Sequence, residues 1–136
     1  MTTRGEQGTG RDGITIRIDG RHFAVQLNDT RTARELANRL PVSGDGSRWG
    51  DEIYFGIGLI LPPGPPQEQV EIGDVAYWEP GKAICIFYGP TPASVTTKPQ
   101  AASAVTVIGR IRAEPADLRR LGSLRGIEIR REEVPR

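Results

Sequence analysis

Most residues that would announce a chemistry are scarce in this chain of 136 residues. The single cysteine, Cys85, rules out an internal disulfide, and the single histidine is His22. One Cys and one His cannot supply the usual donor set of a zinc site within one chain, so no metal is expected. Lysine is confined to Lys82 and Lys98, and the acidic residues almost cancel the basic ones, leaving a formal net charge of +1. That balance lacks the basic excess of a dedicated nucleic-acid binder. No apolar run approaches the roughly 18 residues needed to cross a bilayer, so no membrane partner is expected. The polar, Gly-rich start has no apolar stretch of a signal peptide. With Cys85 read as a small buried hydrophobe, these absences predict a cytoplasmic protein.

The residues that are present describe strands. Residues 1–12 carry almost no apolar side chain after Met1 and are expected to be a disordered leader. Residues 13–131 read as one domain, and 132–136 as a frayed tail. Ile14, Ile16 and Ile18 alternate with polar residues, and Phe23, Val25 and Leu27 repeat the pattern after Asp19-Gly20. This is a hairpin with a type I′ turn, whose central residues need positive φ. Residues 28–30 offer capping side chains, and Ala33, Leu36, Ala37 and Leu40 recur at helical spacing until Pro41. Residues 42–48 read as a polar loop, and 49–61 as a strand region in which Gly56 and Gly58 suggest a bulge or a close backbone approach. After the Pro62–Pro66 connection, residues 75–78 and 83–88 form a second hairpin. Its Pro80-Gly81 suits a type II turn with positive φ at Gly81. A long loop at 89–102, a strand at 104–111, a short helix at 115–121 and a strand at 126–131 complete the reading. Strands in succession with two short helices predict a mainly β antiparallel sandwich or barrel.

Two blocks are more distinctive. Trp49-Gly50-Asp51-Glu52-Ile53-Tyr54-Phe55 and the run from Gly73-Asp74-Val75-Ala76-Tyr77-Trp78 to Tyr88-Gly89-Pro90-Thr91-Pro92 resemble the cyclophilin-like family of small bacterial and archaeal proteins. Leu27-Asn28-Asp29-Thr30 and Val107-Ile108-Gly109-Arg110-Ile111 fall in the matching order, so the resemblance spans about residues 14–129. It implies a closed cyclophilin-like β-barrel with a helix over an open end. It does not carry the prolyl isomerase motifs: the Phe-His-Arg and Gln-Gly-Gly-Asp stretches of true cyclophilins are missing. Isomerases must lower a rotational barrier of roughly 18–20 kcal/mol, and an arginine on the prolyl nitrogen does so by weakening amide resonance. Arg17, Arg110 and Arg112 lie on predicted strands, but their spacing singles none out, and His22 reads as an exposed strand residue.

Other catalytic templates also fail. Asp51 and Glu52 are adjacent, so on a strand they point to opposite faces and form no carboxylate pair. Neither a phosphate-binding Gly loop nor a nucleophile elbow is present. The candidates that remain are the aromatic residues Trp49, Tyr54, Tyr77, Trp78 and Tyr88, which carry polar handles, with Thr91 as a pocket rim, against the reading in which they simply pack the core. The sequence thus predicts a non-catalytic module binding a small molecule or peptide, without a cofactor. Its competitors are a divergent peptidyl-prolyl isomerase and a structural subunit or oligomerisation domain, including a homo-oligomer.

Overall fold

A computed structural model describes residues 13–132; the expected leader and the end of the expected tail lie outside them. The hairpin expected at the start is formed by β1 (Gly13–Ile18) and β2 (Arg21–Leu27). Asp19 and Gly20 both adopt positive φ, 53° and 77°, as a type I′ turn requires. Helix α1 (Arg31–Asn38) starts where the Thr30 side chain accepts the Ala33 N–H, and buries Thr32, Ala33, Leu36 and Ala37. Glu35 and Arg39 pair at 2.8 Å, one turn apart.

Two strands of three residues follow, β3 (Val42–Gly44) and β4 (Gly46–Arg48), where a loop was expected. Then come β5 (Glu52–Gly56), β6 (Gln67–Gln69), β7 (Asp74–Trp78), β8 (Ala83–Phe87), β9 (Gln100–Ile111), helix α2 (Pro115–Arg119) and β10 (Ile127–Arg131). The turn between β7 and β8 also differs from expectation. It is a 3-10 turn over Glu79–Gly81, and the left-handed residue is Lys82, at φ 46°, rather than Gly81. Strand β9 starts earlier than expected, so residues 100–102 belong to it and not to the preceding loop. Glu132 still donates its N–H to the Gly13 carbonyl at 3.3 Å, which holds the first residue of the expected tail against β1.

The fold is mainly β and antiparallel, but the expected closed barrel is not formed. Hydrogen bonding runs along an open path, β3-β10-β1-β2-β9-β7-β8-β5-β4, with β6 attached to β9. The ends are β3 and β4, joined by Asp45 alone. A one-residue connection is too short for the hairpin that would pair them, since even tight hairpins need two loop residues. The sheet instead curls until its ends approach: a β-carbon on Gly44 would overlap the Gly56 carbonyl oxygen. That is the close backbone approach that Gly56 suggested.

The inner face of the curl holds the main core. Ile14, Ile16, Val25, Ile53, Phe55, Ile84, Ile86, Ile127 and Ile129 from the strands meet Leu36 of α1 and Leu118 of α2. Burying each such side chain stabilises the fold by about 1.5–3 kcal/mol before chain entropy is counted. Among the described residues no helix is long and apolar enough to cross a membrane.

Candidate functional site

Strands β7, β8 and β5 are neighbours in that order, and side-chain alternation gives each of them two faces. Val75, Tyr77, Ile84, Ile86, Ile53 and Phe55 join the main core. Ala76, Trp78, Cys85, Phe87 and Tyr54 point the other way, into a second and smaller cluster with Val70, Ala101 and Val105. In the register, Tyr54 stands opposite Cys85, and Glu52 opposite Phe87. Strand β9 pairs with the main sheet only from Thr106 onward. Its first half pairs instead with β6, giving a two-stranded arm whose Ala101 and Val105 cover the outer face of β8.

Between arm and sheet is a cavity of about 220 Å³, lined by Trp49, Glu52, Tyr54, Trp78, Cys85, Ala101, Ala102 and Val105. Trp78 ties the two together, donating its indole N–H to the Ser103 hydroxyl at 2.8 Å. Trp49 enters from the β4–β5 turn. Its N–H donates to the Glu52 carbonyl at 2.9 Å, and Gly50 follows at φ +60°. A β-carbon at Gly50 would sit 2.8 Å from Pro92 and 2.9 Å from the Thr91 backbone, so the turn can pack here only as glycine. Asp51 then clamps the turn from both sides. Its N–H donates to the Pro90 carbonyl and its carbonyl accepts from the Tyr88 N–H, each at 2.9 Å. Its carboxylate holds Arg119 at 3.0 Å.

Asp51 and Glu52 therefore face opposite sides, as their adjacency implies. The Glu52 residue is only 6% exposed and forms no ion pair among the described residues. Burial raises its pKa to about 7, against a partial lowering by the hydrogen bond from Cys85. The Cys85 thiol is pushed well up, first by burial and then by the Glu52 charge, so it stays protonated. A protonated thiol is a poor nucleophile. The pair thus offers a carboxylate that titrates near neutrality beside a thiol that is only a weak donor.

The sequence-derived candidates separate into two groups. Trp49, Tyr54 and Trp78 line the cavity. Tyr77 and Tyr88 lie in the main core. The Tyr77 hydroxyl donates to the Leu59 carbonyl at 2.6 Å, and the Tyr88 hydroxyl accepts from Arg48. Thr91 is buried in its loop, where its N–H donates to the Ser94 hydroxyl at 2.9 Å and its own hydroxyl to the Gln100 carbonyl. Glu52, Cys85, Ala101, Ala102 and Val105 were not anticipated as site residues. His22 is exposed on β2, as alternation implies. None of the strand arginines lines the cavity: Arg110 pairs with Asp74 at 2.9 Å, Arg17 lies 3.6 Å from Glu128, and Arg112 is exposed; Arg48 bonds the Leu118 and Leu121 carbonyls. A wider and more polar cleft beside α1, lined by Asn28, Asp29, Arg34 and Arg131 among others, holds none of the aromatic candidates.

An open, curled antiparallel sheet with short helices over its inner face defines the class as a small mainly β protein carrying a pocket on its outer face. The cyclophilin-like family model matches residues 12–130, and the chain belongs to that family. The solution structure of a hypothetical protein from Archaeoglobus fulgidus is similar, with 37% identity and a TM-score of 0.75 over 95% of this chain and 100% of that one. No curated protein matches the chain.

Proposed function

We propose that the protein is a non-catalytic binding module whose outer-face pocket takes a small organic ligand or a single side chain of a peptide. One observation carries this reading: three amphipathic aromatics, Trp49, Tyr54 and Trp78, surround an apolar cavity that also contains one buried carboxylate. Apolar walls with a few placed polar groups are what small-molecule sites present. At about 220 Å³ the cavity is smaller than the roughly 300–1,000 Å³ of sites for drug-sized ligands. It suits one ring or a short branched chain. Among the described residues the lining includes no arginine, so a divergent prolyl isomerase would lack its guanidinium here.

A ligand-observed NMR screen of single-ring and branched-chain fragments tests the reading. Binders are expected to shift the indole N–H signals of Trp49 and Trp78. Ala102 is exposed at the cavity wall, so Ala102→Trp fills the space without cutting into the core and is expected to abolish binding. A screen without binders, or binding that survives Ala102→Trp, rejects the pocket.

A further inference from the structure

Several carboxylates packed against this sheet meet cations. Asp74, with a side chain 8% exposed, holds Arg110 at 2.9 Å; Asp51 holds Arg119 at 3.0 Å; Glu128 has Arg130 at 2.8 Å. Glu52, also buried, has among the described residues no cation beside it, and the neighbouring thiol of Cys85 is a weak donor that cannot balance a charge. A buried carboxylate without a counter-charge is costly and is relieved by protonation or by a cation. Aromatic faces attract organic cations through the ring quadrupole, most strongly where water is excluded.

We infer that the pocket takes a small organic cation, an alkyl- or arylammonium group, with Glu52 as counter-ion and Trp49, Tyr54 and Trp78 as aromatic walls; this rests on the binding reading above. The cavity supplies both halves of such recognition and no cation of its own, since among the described residues no Lys, Arg or His lines it. An anionic ligand would meet the Glu52 charge. A neutral ligand would leave that charge unpaired.

The ionisable side chains lining the cavity with Glu52 are Cys85 of β8 and Tyr54 of β5; Trp78 of β7 and Ala101, Ala102 and Val105 of the arm bring none. Cation affinity therefore follows ionisation of Glu52. With its free pKa at about 7, affinity falls about tenfold from pH 8 to pH 6.

The probes are two matched pairs that differ in charge but scarcely in shape: choline with 3,3-dimethyl-1-butanol, and benzylamine with benzyl alcohol. Titration of the full chain at pH 8 is expected to show each cation at least tenfold tighter than its neutral partner. Choline, whose own charge is fixed, reads the pH dependence. Glu52→Gln keeps the shape and is expected to reduce the cation to its partner's affinity, with the partner unchanged within twofold. Neutral probes binding as tightly as the cations overturn the inference and leave the pocket standing. The same holds if other fragments bind and neither cation does, or if choline binding to the unmodified protein is flat from pH 6 to pH 8. If no probe of any charge binds, the pocket falls as well.

Discussion

Strands β7, β8 and β5 carry two faces that differ in what covers them. Inward, Ile84, Ile86, Ile53 and Phe55 meet the rest of the curled sheet and both helices. The cover is deep, and the polar groups that reach it, such as the Tyr77 hydroxyl, find partners. Outward, Ala76, Cys85 and Phe87 meet only a two-stranded arm with small side chains, Ala101 and Val105, and Val70 beside it. A thin cover of small residues cannot fill the space above a sheet, and the unfilled part is the pocket. One strand set thus supports stability on its inner side and leaves recognition to its outer side.

Two phenylalanines on these strands, both 0% exposed, test that division. Phe55→Ala opens a hole in the deep core and is expected to cost about 4–5 kcal/mol, the upper part of the range for such truncations. Phe87→Ala removes the same atoms from beneath the arm, which can settle into the gap, and is expected to cost about 3 kcal/mol. Urea unfolding gives both values. Hydrogen exchange should quicken in residues 100–105 for Phe87→Ala but not for Phe55→Ala. Equal costs would mean that the arm is as firm a cover as the core.

A smaller contrast concerns pH. The folded pKa of Glu52 is about 7 against 4.5 for the ordinary group. The folded state therefore binds the proton more tightly than the unfolded chain does. Stability from this group is complete below pH 4.5, declines as pH rises to 7, and is flat above. With solvent at the pocket mouth reducing the effect, the decline is about 2–3 kcal/mol. The difference between the parent protein and Glu52→Gln removes contributions from other groups. Glu52→Gln should gain on the parent through that window and stay ahead above it. A difference that does not change with pH would mean that Glu52 is solvated like a surface carboxylate.

How much of this the sequence carries varies by element, for physical reasons. The β1–β2 hairpin and α1 are legible because their signals are local: Asp19-Gly20 fixes the turn, and Thr30 fixes the helix start. Strands β3, β4 and β6 are three residues long, too short to show a period, and their pairing comes from distant partners. The open ends of the sheet follow from the single residue between β3 and β4, which becomes informative only once both are known to be strands. At the site, aromatic type selected Trp49, Tyr54 and Trp78 but could not separate them from Tyr77 and Tyr88. Glu52, between Asp51 and Ile53, reads as an ordinary surface acid. The clue lay in β8, where Ala83–Phe87 is buried at every position. A strand without polar alternation is covered on both faces, which places the outward residues beside it, Tyr54 and Glu52, next to a cover as well.

The smallest effects divide the two tyrosine environments. Tyr88 is 1% exposed, and its hydroxyl accepts from Arg48. Tyr88→Phe removes that bond, but Arg48 keeps the Leu118 and Leu121 carbonyls. The expected loss is about 1–2 kcal/mol in stability, with no change in ligand affinity. Tyr54 is half-buried at the cavity, and its ring packs only at the edge of the smaller outer cluster. Tyr54→Leu keeps apolar bulk against the outer cluster and removes the aromatic face, so stability should move by less than about 1 kcal/mol. Cation affinity should fall about threefold, the value of one partly exposed cation–π contact. Thermal unfolding and choline titration of both variants make the comparison. If Tyr88→Phe weakens binding as much as Tyr54→Leu, the two faces are coupled through β5 and β8, and the pocket depends on the core it was distinguished from.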